Sequence, residues 1–151
     1  MAHQTPDLIV RGRYLRLDCL CLLLLMLSAC SSSDQIEQQS QTAASASQTV
    51  LMALDAWAAG AAPTAYTMDT LQSIGQTLAD VGAQIRSAET SEPTEQASLT
   101  KAVNDLSVAV ARAEAGLRAD DRPEVQSAQQ DLRLASRSLA TAYAKYFAPK
   151  P

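Results

Sequence analysis

Aromatic residues make up only 4% of this 151-residue chain, and histidine occurs once, as His3. So few rings exclude an aromatic-rich core and a base-stacking nucleic-acid surface. Three cysteines are present, Cys19, Cys21 and Cys30, all in the first thirty residues, so everything after them folds without a disulfide. Basic charge is also short: 12 Lys and Arg stand against 16 Asp and Glu, a net charge of −4. That balance argues against nucleic acid as a partner. No apolar run approaches the roughly 20 residues that cross a bilayer as a helix. Missing too are a Gly-rich phosphate loop and a Gly-x-Ser-x-Gly elbow. With no His or Cys after residue 30, the usual bases, thiol nucleophiles and metal ligands are absent there. No catalytic residue, metal site or cofactor is expected, and the chain reads as a non-enzyme.

What the chain does have begins with its N-terminus. Arg11, Arg13 and Arg16 precede an apolar stretch, Leu17 to Leu27, interrupted by Asp18. A basic segment followed by a short apolar run reads as an export signal. The run closes on Leu27-Ser28-Ala29-Cys30. These four residues resemble the lipobox of bacterial lipoproteins, Leu-[Ala/Ser]-[Gly/Ala]-Cys, at every position. The resemblance covers the leader, residues 1–29, and no more of the chain. It implies lipid transfer to the Cys30 thiol, cleavage between Ala29 and Cys30, and acylation of the new amino group. The residue after Cys30 is Ser31 rather than Asp. In Gram-negative lipoproteins that choice implies the outer membrane, with the domain facing the periplasm. The membrane is then a partner through lipid on Cys30, and several acyl chains at about 0.8 kcal/mol per buried CH₂ anchor almost permanently.

Beyond the leader, alanine is abundant and glycine scarce, a composition that favours helix. Leu71, Ile74, Leu78, Val81 and Ile85 alternate three- and four-residue steps. So do Leu99, Val103, Leu106, Val110, Ala113 and Leu117, and so do Val125, Ala128, Leu132, Ala135, Leu139, Ala142 and Tyr146. Each series puts one apolar stripe on a helix. A weaker stripe runs through Ile36, Ala43, Val50, Leu54 and Trp57. Gly60 to Pro63, Ser91 to Pro93 and Asp121 to Glu124 punctuate the stripes. The pattern predicts helices over 34–59, 64–89, 93–118 and 122–147, each about 39 Å long at 1.5 Å per residue. Short connections predict an all-α, antiparallel, up-down-up-down four-helix bundle over residues 34–148. Asp121 with Glu124, and Asp34 with Glu37, are spaced as capping pairs.

Residues 30–33 are expected to tether the bundle to its lipid, spanning at most about 14 Å. The stretch 35–49, rich in Gln, Ser, Thr and Ala, reads either as helix or as a longer flexible tether. Candidate partner contacts fall in two groups. Gly75, Ala79 and Gly82 share a flank of the second helix, where a glycine costs roughly 0.5–1 kcal/mol against alanine and so suggests close approach of another backbone. The five aromatics beyond the leader are expected at opposite poles: Trp57 and Tyr66 beside the first turn, Tyr143, Tyr146 and Phe147 at the end of the last helix. Either group serves packing or a partner hot spot. Arg133 and Arg137, one turn apart, are spaced to hold a carboxylate or phosphate, or simply to face solvent.

These features predict a non-catalytic helical adaptor for an envelope complex. By shape and size it resembles secretion-system pilotins, small lipidated helical proteins that guide secretins. Two alternatives are a bundle that binds a small apolar ligand and an immunity or entry-exclusion lipoprotein of a mobile element.

Overall fold

A computed structural model describes residues 32–149. Four helices account for most of them: α1 (Ser32–Ala58), α2 (Thr64–Ser87), α3 (Pro93–Arg118) and α4 (Arg122–Tyr146). No strand occurs among the described residues. Each helix packs on its neighbour in sequence, and α1 also packs on α4, which closes the bundle. Contacts between helices descend one element as they climb the other. Tyr143, late in α4, reaches Glu37, early in α1; Gln129, early in α4, reaches Asp55, late in α1. Gly75 lies against Val110 and Gly82 against Val103, and Gly116 lies against Val125. Antiparallel neighbours follow from these pairs.

The four apolar stripes are the core. Leu71, Leu78, Ile85, Leu99, Leu106 and Leu132 are all buried. Removing each such side chain from water contributes roughly 1.5–3 kcal/mol. Ile74, in the α2 stripe, is half-buried. Along α1 the seam is Ile36, Ser40, Ala43, Ser47, Val50, Leu54 and Trp57, an unbroken alternation of four and three residues. Ser40 and Ser47 occupy two of its positions, which is why the stripe looks weak when only apolar residues are read. Both hydroxyls are buried and donate to their own helix, Ser40 Oγ to Ile36 O (2.8 Å) and Ser47 Oγ to Ala44 O (2.8 Å). A short polar group satisfied within its helix carries little burial penalty.

Helix α1 thus begins at Ser32, two residues ahead of the expected start, and 35–49 is helix rather than tether. Asp34 lies inside the first turn, where its charge complements the helix dipole.

The helix ends show how the turns are made. After α1, Gly60 adopts φ 72° and the Ala61 and Gly60 amides return to Ala56 O (2.8 Å) and Trp57 O (2.9 Å). After α3, Asp120 adopts φ 53° and the Asp121 and Asp120 amides return to Gly116 O (2.8 Å) and Leu117 O (3.3 Å). Both are Schellman closures, with the left-handed residue just past the helix. Asp121 then starts α4 by accepting from the Glu124 amide (3.0 Å). Helix α2 stops at Ser87, and Gln96 of α3 donates its amide to Ile85 O and Ala88 O (both 2.7 Å). A side chain from the next helix therefore serves carbonyls that the helix end leaves without partners.

Candidate functional site

The lipidation and cleavage residues, Cys30 and Ala29, lie outside the described residues. The two poles and the grooves between helices hold most of the residues that the sequence pattern singled out. At the pole where α1 begins and α4 ends, three rings cluster: Tyr143 and Phe147 are 4.7 Å apart, Tyr146 and Phe147 4.8 Å, centroid to centroid. Tyr143 donates to Glu37 Oε1 (3.2 Å), and Tyr146 Oη shares a hydrogen bond with Thr90 Oγ1 (2.8 Å). These bonds tie the end of α4 to the start of α1 and to the α2–α3 connection, so the cluster fastens the pole. At the other pole, Trp57 Nε1 donates to Thr64 Oγ1 (3.1 Å), and the Arg122 guanidinium lies 5.2 Å from its ring centre. Here the α1–α2 turn meets the start of α4.

Of the expected contact residues, Trp57 and Tyr146 are buried in the seams, and that packing accounts for them. Gly82 is also buried, on the side of α2 that faces α3. Tyr143, Phe147 and Gly75 are half-buried. Tyr66 is the outward member, 63% exposed.

The α2 glycines do not mark close approach of a backbone. A Cβ at Gly75 would meet Val110 Cγ1 at 3.8 Å, and one at Gly82 would meet Val103 Cγ1 at 3.5 Å, both ordinary contacts with side chains. Ala79 and Gly82 instead help line an open groove of about 530 Å³ between α2 and α3, flanked by Arg86 and Lys101. The close approach is elsewhere. A Cβ at Gly116 would lie 2.9 Å from Val125 Cγ2 and 3.1 Å from Val125 N. Spacing gave no sign of this, because Gly116 lies beside the α3 stripe and meets α4 only after the turn is made.

Arg133 is drawn to Asp55 (3.4 Å), which also accepts from Gln129 (3.0 Å), so Arg133 and Arg137 do not form an open anion clamp. Arg112 was not singled out by the sequence pattern. It spans α3 and α4, bonding Glu124 (2.9 Å) and Asp131. Exposed apolar residues also escaped notice. Val108 and Leu134 are 53% and 55% exposed and line one groove between α3 and α4; Met52 on α1 is 64% exposed. No group of His, Cys, Asp and Glu among the described residues is arranged to hold a metal. No helix among them is long and apolar enough to cross a membrane.

No protein-family model matches this chain, and neither a curated protein nor a solved structure matches it.

Proposed function

We propose that the protein is an outer-membrane lipoprotein, held by lipid on Cys30, whose helical bundle works in the periplasm as a non-catalytic adaptor for an envelope complex. The observation that carries this reading is Leu27-Ser28-Ala29-Cys30 directly after a basic and then apolar leader. The bundle supports it as a compatible cargo. Its helix α1 starts two residues after Cys30, and its exposed apolar residues, Met52, Tyr66, Val108 and Leu134, are spread over all four helices. Scattered singly, they are ordinary surface residues and single out no one face for a partner. Pilotins remain a likeness of shape and size.

Replacing Cys30 by Ala should move the protein from the membrane fraction to the soluble one. Mass analysis of the wild type should show an acylated N-terminal cysteine. Continued sedimentation of Cys30→Ala with membranes, or an unmodified cysteine, sinks the anchor. Crosslinking in intact cells should then capture the same envelope protein from wild type and not from Cys30→Ala. Retention of a small apolar molecule in native mass spectrometry, with no captured protein, would instead favour the ligand-binding alternative.

A further inference from the structure

The two halves of α1 are held in different ways. From Val50 onward the helix buries Val50, Leu54 and Trp57, and its side chains are tied to other helices: Asp55 to Gln129 and Arg133, Trp57 to Thr64 and to Arg122. From Ser32 to Thr49 the buried residues are Ile36, Ser40, Ala43, Ala46 and Ser47, of which only Ile36 is large. Small side chains leave space on both flanks. A groove of about 490 Å³ separates this half from α4, lined by Gln41, Ala44, Gln48, Ser136, Ala140 and Tyr143. A second, of about 510 Å³, separates it from α2, lined by Gln38, Thr42, Ser45, Thr49, Ile74 and Thr77.

Hydrogen bonding repeats the contrast. Ser40, Gln41, Thr42, Ser47 and Thr49 all return their side-chain bonds to α1 itself. Residues 38–54 carry no charge, so none of them forms an ion pair across to a neighbour. Tyr143 reaches across to Glu37 of this half, at the pole. Few large buried apolar side chains and a groove on either flank place a segment at the low end of local stability.

We propose that residues 32–49 form a strap that detaches from the bundle as one cooperative unit, hinged at Val50 and latched by the Tyr143–Glu37 bond. Freed from its neighbours, a helix of this length with so many Ser and Thr is marginal in water and melts. The strap then becomes chain. Docked, it is about 27 Å of helix at 1.5 Å per residue. Released, it spans up to about 60 Å at ~3.3–3.6 Å per residue. Resting on the reading of Cys30 as the anchor, this converts a bundle held close to the bilayer into one that reaches a partner well away from it. The helix and the tether that the sequence pattern leaves open for 35–49 are then two states of one segment.

Native-state hydrogen exchange on the purified full protein tests this. After correction for intrinsic rates, amides from Ile36 to Ala53, whose helical acceptors are carbonyls of residues 32–49, should share one protection factor, at least about tenfold below that of Leu54 to Trp57, a difference of about 1.4 kcal/mol. Tyr143→Phe should speed exchange of the strap about two- to tenfold, the range a single hydrogen bond supports, and leave Leu99 to Leu117 unchanged. A smooth gradient from Ser32 inward is ordinary end fraying and overturns the strap. Uniform protection along α1 overturns it as well. A strap rate indifferent to Tyr143→Phe overturns the latch. Exchange does not depend on acylation, so failure of the strap is separable from failure of the anchor, which Cys30→Ala reads alone.

Discussion

Gly75 and Gly116 are both helical, both next to a valine on the following helix, and opposite in what they tolerate. The difference is under an ångström. At Gly75 a methyl group finds Val110 at contact distance, so Gly75→Ala should stabilise the fold by about 0.5–1 kcal/mol through the lost freedom of the unfolded chain. At Gly116 the same methyl group overlaps Val125, including its backbone nitrogen, which belongs to a helix that cannot shift alone. Overpacking of that kind costs about 1–3 kcal/mol and exceeds the helix-propensity gain. Urea denaturation of the two variants should therefore move in opposite directions. Equal shifts would show that the α3–α4 turn yields more readily than its contacts suggest. Which glycine matters was illegible in the sequence, since both sit in helical spacing and the overlap depends on a turn that brings Val125 back over Gly116.

Helix boundaries depend on a handful of groups. Asp121 was recognisable as a cap from its spacing to Glu124, and its carboxylate does accept the Glu124 amide. Removing it in Asp121→Ala should cost about 1 kcal/mol, read as a lower denaturation midpoint. Gln96 was not recognisable, because the carbonyls it serves belong to another helix. Its amide answers two of them at 2.7 Å, so Gln96→Ala should cost about 1–3 kcal/mol, at least as much as the cap. A negligible effect would mean that solvent replaces Gln96. The stripes of α2, α3 and α4 were legible because leucine and valine mark them. The stripe of α1 was half-legible because serine fills two seam positions, and serine reads as surface until the packing shows its hydroxyl bonded inward.

Four amphipathic helices of similar length with short turns have one economical arrangement, and the chain adopts it. Its integrity rests on a continuous core. Leu106, fully buried near the middle of α3, is a direct probe. Leu106→Asp places an unpaired charge there and should abolish cooperative unfolding, seen as a flattened thermal melt by circular dichroism. A cooperative melt near the wild-type temperature would mean that the stripe is not core. Away from the core, the distribution of ties across the bundle is uneven. The α3–α4 pair is clamped by Arg112 and the Schellman turn, whereas the first half of α1 faces grooves on both sides. That asymmetry is what gives the proposed strap its place in the first half of α1.

Helix content, the number of helices and most of the buried positions follow from periodicity and punctuation alone, because helical burial repeats every three or four residues along the chain. The resemblance of Leu27-Ser28-Ala29-Cys30 to a lipobox is likewise a matter of local order, read without any fold. What packing had to supply are the facts that join distant residues: Trp57 and Tyr146 turned inward, Arg133 taken up by Asp55, Gly116 pressed against Val125, and the first half of α1 bordered by a groove on each side. Distances across a bundle depend on turn geometry and side-chain volume together, and a linear pattern encodes neither directly.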